Sequence, residues 1–379
     1  LEGGNLTNLQ PGNTRHQLTE ILAKAEQEEI LDPKEIGFLL SVEQDSQIEA
    51  VFLAARRLRQ RYFGDKVFLY GFIYISTFCR NHCNFCYYRR TNTLPVRYRL
   101  DESEIIRAAH RLAESGIHLI DLTLGEDPEY RHDDEEGLDK LARLVKAVRG
   151  ATDLPVMVSP GVVSDDFLLR LFQAGAGWYA CYQETHNPAL FKRLRPGQSY
   201  AVRLKNKLTA RKLGLLIEEG ILCGVGESVG DIAESIEVMR CLDASQIRAM
   251  SFVPQRGTPM ARRKTPDSLR ELLTMAALRL ALPDRLIPAS LDVAGLQGLR
   301  SRLTAGANVI TSLVPPGFGL AGVAQNSLDI AEAKRTAASI LPELERLNLQ
   351  AAAAEEYQRW MQNRRANIGE DPSKEKIAC

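Results

Sequence analysis

Val67-Phe68-Leu69-Tyr70-Gly71-Phe72-Ile73-Tyr74-Ile75 runs without a break into Ser76-Thr77-Phe78-Cys79-Arg80-Asn81-His82-Cys83-Asn84-Phe85-Cys86-Tyr87-Tyr88. The first part is aromatic and β-branched and reads as a strand; the second, rich in Cys and Asn, reads as the loop that leaves it. Outward from this point, β-rich runs recur at Ile117 to Leu124, Leu154 to Ser159, Gly177 to Tyr182, Leu215 to Cys223, Ile247 to Val253, Arg285 to Leu291 and Ala307 to Leu313. Between them, Glu102 to Ser115, Gly137 to Val148, Ser164 to Ala174, Tyr200 to Leu213, Gly230 to Leu242 and Ser268 to Ala281 carry apolar residues every three or four positions, the pattern of amphipathic helices. Eight strands interleaved with helices predict an α/β fold, a complete (β/α)8 barrel of the TIM type. The cysteine loop then lies at the carboxyl ends of the strands, where barrels place their active sites.

An N-terminal helical extension is expected over residues 1–66, with two or three helices between Thr14 and Arg61 and breaks at Asp32-Pro33 and Val42 to Ser46. The barrel itself is expected over 67–326 and C-terminal helices with a flexible tail over 327–379. Val314 to Gly319 reads as a turn-rich loop, Leu328 to Asn363 as helical, and Asn367 to Cys379 as disordered.

Composition narrows the function. The chain has 48 basic and 48 acidic residues, so no net charge draws it to nucleic acid. No apolar run is long enough to span a bilayer, and the polar start from Leu1 to Arg15 has no signal-peptide pattern, so a cytoplasmic protein acting on small molecules is expected. Seven cysteines in 379 residues are too few and too uneven for a disulfide framework.

Cys79, Cys83 and Cys86 form a C-x-x-x-C-x-x-C set. Thiolates ligate iron, and a four-iron cluster held by three of them keeps one iron open to a cofactor or substrate. A zinc site completed by His82 is the other reading, although this spacing is unusual for structural zinc. Cys181, Cys223 and Cys241 stand alone in apolar surroundings and read as small buried hydrophobes.

The spacing after a first strand resembles the radical S-adenosylmethionine (SAM) superfamily. That resemblance implies a 4Fe-4S cluster on Cys79, Cys83 and Cys86, SAM as cofactor, and Phe85 beside its adenine. Thr123-Leu124-Gly125-Glu126-Asp127 is similar to the superfamily's Gly-Glu motif, which implies that Glu126 approaches the methionyl amine; a helix-capping role is its bland alternative. Tyr182-Gln183-Glu184-Thr185-His186-Asn187-Pro188, with Leu194-Arg195-Pro196 and Arg203, resembles the biotin synthase-like group. There Glu184 would bind the ribose or methionyl part and Arg203 the carboxylate.

Within that group the chain resembles the methylornithine synthase family from about Ile21 to Leu347. The resemblance rests on Tyr62-Phe63-Gly64, Tyr87-Tyr88, Asp121-Leu122-Thr123, Gly125 to Pro128, Tyr182 to Thr185, Glu219 to Leu222 and Ile287 to Asp292. It implies an isomerase: a lysine mutase that converts L-lysine to (3R)-3-methyl-D-ornithine, opening pyrrolysine biosynthesis, with a flavodoxin- or ferredoxin-type electron donor. It also assigns Arg248 to the lysine carboxylate, Ser290 and Asp292 to the α-amino-acid head, and Asp121 to the distal ammonium. Strand periodicity independently puts Asp121, Thr123 and Gly125 on the lumen face, with Leu122 and Leu124 towards the helices. A hydrogenase maturase-type enzyme of the same group, and a non-catalytic iron-sulfur or zinc scaffold, are the alternatives.

Overall fold

The computed structural model describes residues 11–130, 135–317 and 334–368. Eight parallel strands pair in the order β6-β5-β4-β3-β2-β1-β8-β7. They are β1 (Lys66–Ser76), β2 (Leu119–Leu124), β3 (Val156–Ser159), β4 (Ala176–Ala180), β5 (Leu216–Cys223), β6 (Gln246–Ser251), β7 (Pro288–Ser290) and β8 (Val309–Leu313). The ring closes between β6 and the entry to β7, where Ile247 N donates to Leu286 O (2.9 Å) and Leu286 N to Ser245 O (3.1 Å). The expected barrel is therefore present, with a short β7 as its seam.

Helices α1 (Pro11–Glu26), α2 (Pro33–Leu39) and α3 (Asp45–Phe63) precede it, and Asp32 caps α2 in a reciprocal box with Glu35. The flanking helices are α4 (Glu102–Glu114), α5 (Glu135–Thr152), α6 (Asp165–Gln173), α7 (Pro188–Leu194), α8 (Tyr200–Lys212), α9 (Val229–Cys241), α10 (Ser268–Ala281) and α11 (Leu299–Thr304). Alternation along β1 shows how the layers form. Val67, Leu69, Ile73 and Ile75 pack with the helices, whereas Phe68, Tyr70, Phe72 and Tyr74 belong to the separate lumen clusters. Gly71 lets α4 approach: a Cβ there would come within 2.7 Å of Leu112 and Ile117 side chains.

The lower lumen is filled. Phe68, Tyr70, Leu119, Met157, Trp178, Leu216, Leu286 and Val309 meet Tyr357 and Met361 of the last helix, Ala354–Ala366. Tyr70 and Tyr357 share a 2.7 Å hydroxyl contact, and Trp360 stacks on Trp178 at 6.0 Å. His118 accepts from Leu69 N on Nδ1 (2.8 Å), so its Nε2 carries the proton and donates to Ala352 O (2.9 Å), stitching the incoming segment to the barrel. With the floor packed, open space remains at the carboxyl ends of the strands.

Several boundaries differ from the sequence reading. The helix expected from Leu328 to Asn363 is broken: among described residues, helix Ala337–Arg346 is followed by Asn348 in the left-handed region at φ 52°, and Gln350–Ala351 adds a short strand beside β1 before the final helix. Hydropathy periodicity does not register such a tight reversal. β4 stops at Ala180 rather than Tyr182 because the chain turns there, with Glu184 at φ 69°. α7, capped by Asn187, and α11 were not foreseen, being too short for a periodic signal. The 318–333 part of the expected C-terminal loop and helix, and the tail from 369, lie outside the described residues.

Candidate active site

β1 delivers the cysteine loop to the top of the barrel. Ser76 and Arg99 both bond the buried Asp127, the latter through Nε at 2.7 Å and Nη2 at 2.8 Å, which ties the start of the loop to the end of β2. Asn84, between the second and third cysteines, donates from Nδ2 to Arg193 O (2.6 Å), and its N–H reaches Leu194 O (2.8 Å), so α7 supports the loop's far side. Gly125 is a close-approach position: a Cβ there would lie 2.8 Å from Cys79 Cβ and 3.1 Å from its Sγ.

The triad sulfurs are mutual neighbours. Burial pushes the Cys79 thiol up to about 11 and the Cys86 thiol up to about 12, and in each case charge on Cys83 adds to the effect. Cys83 Sγ faces two side-chain donors, Gln198 Nε2 at 3.0 Å and Arg195 Nη1 at 3.3 Å. Among the described residues no three His, Cys, Asp or Glu side chains converge to hold a single metal ion. Three thiolates on one loop can each take one iron of a polynuclear cluster. The donors around Cys83 and the space kept by Gly125 are what an anionic cluster requires.

Inside the mouth, a cavity of about 1080 Å³, counting its opening, is lined from nearly every strand. Its wall includes Phe85, Cys86, Asp121, Thr123, Tyr182, Glu184, Arg248 and Asp292.

Asp121 and Thr123 face the cavity and Leu122 and Leu124 the helices, as alternation along β2 requires. Asp121 Oδ1 is buried with no hydrogen-bond partner. Burial, with repulsion from Glu218, pushes its carboxyl up to about 7, against the pull of Arg248. Arg248 Nε donates to Glu218 Oε1 (2.7 Å), and Tyr182 OH donates to Glu218 Oε2 (2.7 Å). Burial works against the Arg248 cation, but the Glu218 carboxylate holds its pKa above the ordinary value.

Asp292, just past β7, accepts from Ser312 Oγ (2.8 Å) and from Arg335 Nη1 (3.4 Å). Ser290 stands behind it, outside the cavity wall, and accepts from Asp292 N at 3.3 Å. Ser312 and Glu184, both in the wall, have φ of 68° and 69°, the left-handed strain that proteins retain where a side chain must be aimed.

Glu184 Oε1 accepts from Arg195 Nη2 (2.7 Å), and Arg195 lies 5.2 Å from the centre of the Phe85 ring. Burial raises the Glu184 carboxyl despite that partner. Glu126 and Arg203 lie beside the cysteine loop instead of in the cavity wall. Glu126 accepts from Arg80 Nε (2.9 Å), Val162 N (3.2 Å) and Arg203 Nη1 (3.4 Å), and Arg203 Nε donates to Tyr182 O (2.9 Å). Asp127, and not Glu126, bonds Glu129 N at the start of the next short turn, so capping does not explain Glu126.

Sequence reasoning missed Glu218. Its signal was present as Glu218-Glu219, two acids inside an apolar β-run, which alternation sends to opposite faces. Glu219 does point away, pairing with Lys207 and with Gln183 N (2.7 Å). The Ser312 and Arg335 contacts to Asp292 carried no comparable signal. Among the described residues Cys181 and Cys223 are absent from the cavity wall, so no cysteine set for a second cluster faces it.

Comparisons with known proteins agree with this geometry. The model of the radical SAM superfamily matches residues 73–239. A 3-methylornithine synthase of Methanosarcina acetivorans is 41% identical over 328 residues, 86% of this chain and 92% of that protein. The [FeFe] hydrogenase maturase subunit HydE of Thermotoga maritima is 32% identical over 294 residues, 77% of this chain and 82% of its own. A crystal structure of methylornithine synthase superposes with a TM-score of 0.85 at 38% identity, covering 90% of this chain and 99% of that one.

Proposed function

Because the chain belongs to the radical SAM superfamily, and within it to the family of the 3-methylornithine synthases, we propose that it isomerises L-lysine to (3R)-3-methyl-D-ornithine, the opening step of pyrrolysine biosynthesis. The observation that carries the lysine reading is the buried charge set of the cavity: Arg248 on β6, Asp292 after β7, and Asp121 on β2 with an unpartnered oxygen. Lysine offers one carboxylate and two ammonium groups, which this set complements.

Cys79, Cys83 and Cys86 would hold the 4Fe-4S cluster, and Phe85, Glu126, Glu184 and Arg203 the SAM. Together these groups supply, when bound, a 5′-deoxyadenosyl radical that removes a hydrogen atom from substrate.

The chain's own residues grip both ends of the substrate. Arg248, its Nε held by Glu218 and its Nη1 3.7 Å from Met250 Sδ, presents its planar guanidinium to the lysine carboxylate. Asp292, aligned by Ser312 and Ser290, takes the α-ammonium, and Asp121 the distal one. A carbon-carbon bond is broken and remade within one molecule, so both halves must stay in register; anchoring each half by a buried ion pair does this. The floor of Tyr70, Trp178 and Tyr357 closes the lumen from below and keeps water from the reacting carbons.

Electrons would come from a flavodoxin- or ferredoxin-type carrier. Lys192, Arg193, Arg262, Arg263 and Lys264 are exposed, and Arg193 and Arg263 converge at Gly226, beside the Asn84 side of the cysteine loop. Such a basic rim suits a carrier with an acidic face.

The test is anaerobic incubation of the reconstituted protein with lysine, SAM and a reductant. A lysine isomer of unchanged mass, together with cleaved cofactor, is expected; intact lysine beside cleaved cofactor would exclude lysine as substrate.

A further inference from the structure

Two side chains that do not line the reaction cavity converge on one sulfur of the triad. Gln198 Nε2 is 3.0 Å and Arg195 Nη1 3.3 Å from Cys83 Sγ. Their orientations are fixed by other contacts. Arg203 Nη1 donates to Gln198 Oε1 at 3.3 Å. A guanidinium accepts nothing, so the amide oxygen must face Arg203 and the NH2 must face the sulfur. Arg195 is pinned by Glu184 Oε1 (2.7 Å) and Tyr182 O (3.1 Å) and is only 7% exposed.

The other two sulfurs are served differently. Backbone groups of Asn81 and Glu126 bond Cys79, and the backbone of Tyr88 bonds Cys86. Among the described residues no side-chain donor reaches either. A single thiolate thus receives both a neutral and a cationic donor, in a region of low exposure where charge is weakly screened.

We propose that Gln198 and Arg195 set the reduction potential of the cluster through Cys83. This deepens the radical SAM reading of the triad and rests on it. Reduction adds one negative charge to a cluster and its thiolates. Donors aimed at a ligand sulfur stabilise that added charge more than they stabilise the oxidised state, so they raise the potential. Gln198 acts as a neutral dipole, and Arg195 adds a full charge that its bond to Glu184 only partly offsets. Both are positioning and tuning residues, since neither binds iron.

The experiment is a redox titration of the anaerobically reconstituted full-length protein, following the reduced cluster by electron paramagnetic resonance without substrate or SAM. Gln198→Leu should shift the midpoint to more negative potential with iron content unchanged. Arg195→Met should shift it further, and Arg195→Lys should restore most of the difference. A midpoint equal to wild type in both Gln198→Leu and Arg195→Met, with full iron content, would overturn the proposal. So would loss of iron from both, which would assign them to cluster assembly. Failure of the underlying reading is distinguishable, because the wild-type protein would then show no reducible cluster at all.

Discussion

Glu218 takes Arg248 on one carboxylate oxygen and the Tyr182 hydroxyl on the other, each at 2.7 Å, so the guanidinium is clamped by its Nε edge within the barrel. A clamped Nε leaves the opposite edge of the fork directed at the cavity. Replacing the fork by a point charge removes that geometry. Arg248→Lys should therefore raise the KM for lysine by roughly 10- to 100-fold, the equivalent of one charge-assisted hydrogen bond, while the cluster's visible absorbance is unchanged. An unaltered KM would remove Arg248 from the substrate's carboxylate.

Asp121 provides a pH signature. Burial and Glu218 hold its carboxyl at about 7, so below that value the cavity presents a neutral acid that cannot pair with an ammonium. The sign follows: lysine affinity should weaken as pH falls below about 7, by about tenfold per unit at the limit, with a proton released on binding. Asp121→Asn should flatten this profile and bind weakly throughout. Calorimetric titration in buffers of different ionisation enthalpy measures both quantities, and a flat wild-type profile would dismiss the assignment.

Asp292 has Ser312, Ser290 and Arg335 as supports, and its substitution by Ala should abolish lysine turnover without loss of iron. Product analysis by mass spectrometry checks this. Normal turnover would exclude it from the site.

Gly125 leaves no room for a side chain beside Cys79. Gly125→Ala should cut the iron bound after reconstitution, whereas Gly150→Ala, on α5 with nothing near its Cβ position, should not. Colorimetric iron assay distinguishes them, and equal iron in both would mean that the loop shifts freely.

Tyr357 plugs the barrel from below, against Phe68 and Tyr70. Tyr357→Ala should cost about 3–5 kcal/mol, seen as a lowered Tm. It should also admit water to the lumen, raising the ratio of 5′-deoxyadenosine to rearranged product. A stable variant with an unchanged ratio would show that the floor does not guard the chemistry.

The sequence by itself determined the barrel and the triad. Period-two and period-3.6 hydropathy are local consequences of backbone geometry, so eight strands and the longer helices between them could be placed, and which residues of β2 face the lumen could be read, before any contact was known. Three cysteines within eight residues were equally legible, since a ligand set on one loop needs no folding to be recognised. Asp121, Arg248, Ser290 and Asp292, and the cofactor residues, came from resemblance, because residues scattered over several strands share no local pattern.

What only the tertiary structure decided is which charges meet. Arg248 and Glu218 are 30 positions apart and Cys83 and Gln198 115 apart, and nothing in a linear pattern couples them. The closure of the barrel turns both separations into hydrogen bonds. It also turned Ser290 into a support behind Asp292, and the last helix into the floor of the lumen. Burial energetics reward such pairings without regard to sequence distance, so they become visible only when strand order and register bring the side chains to one end of the barrel.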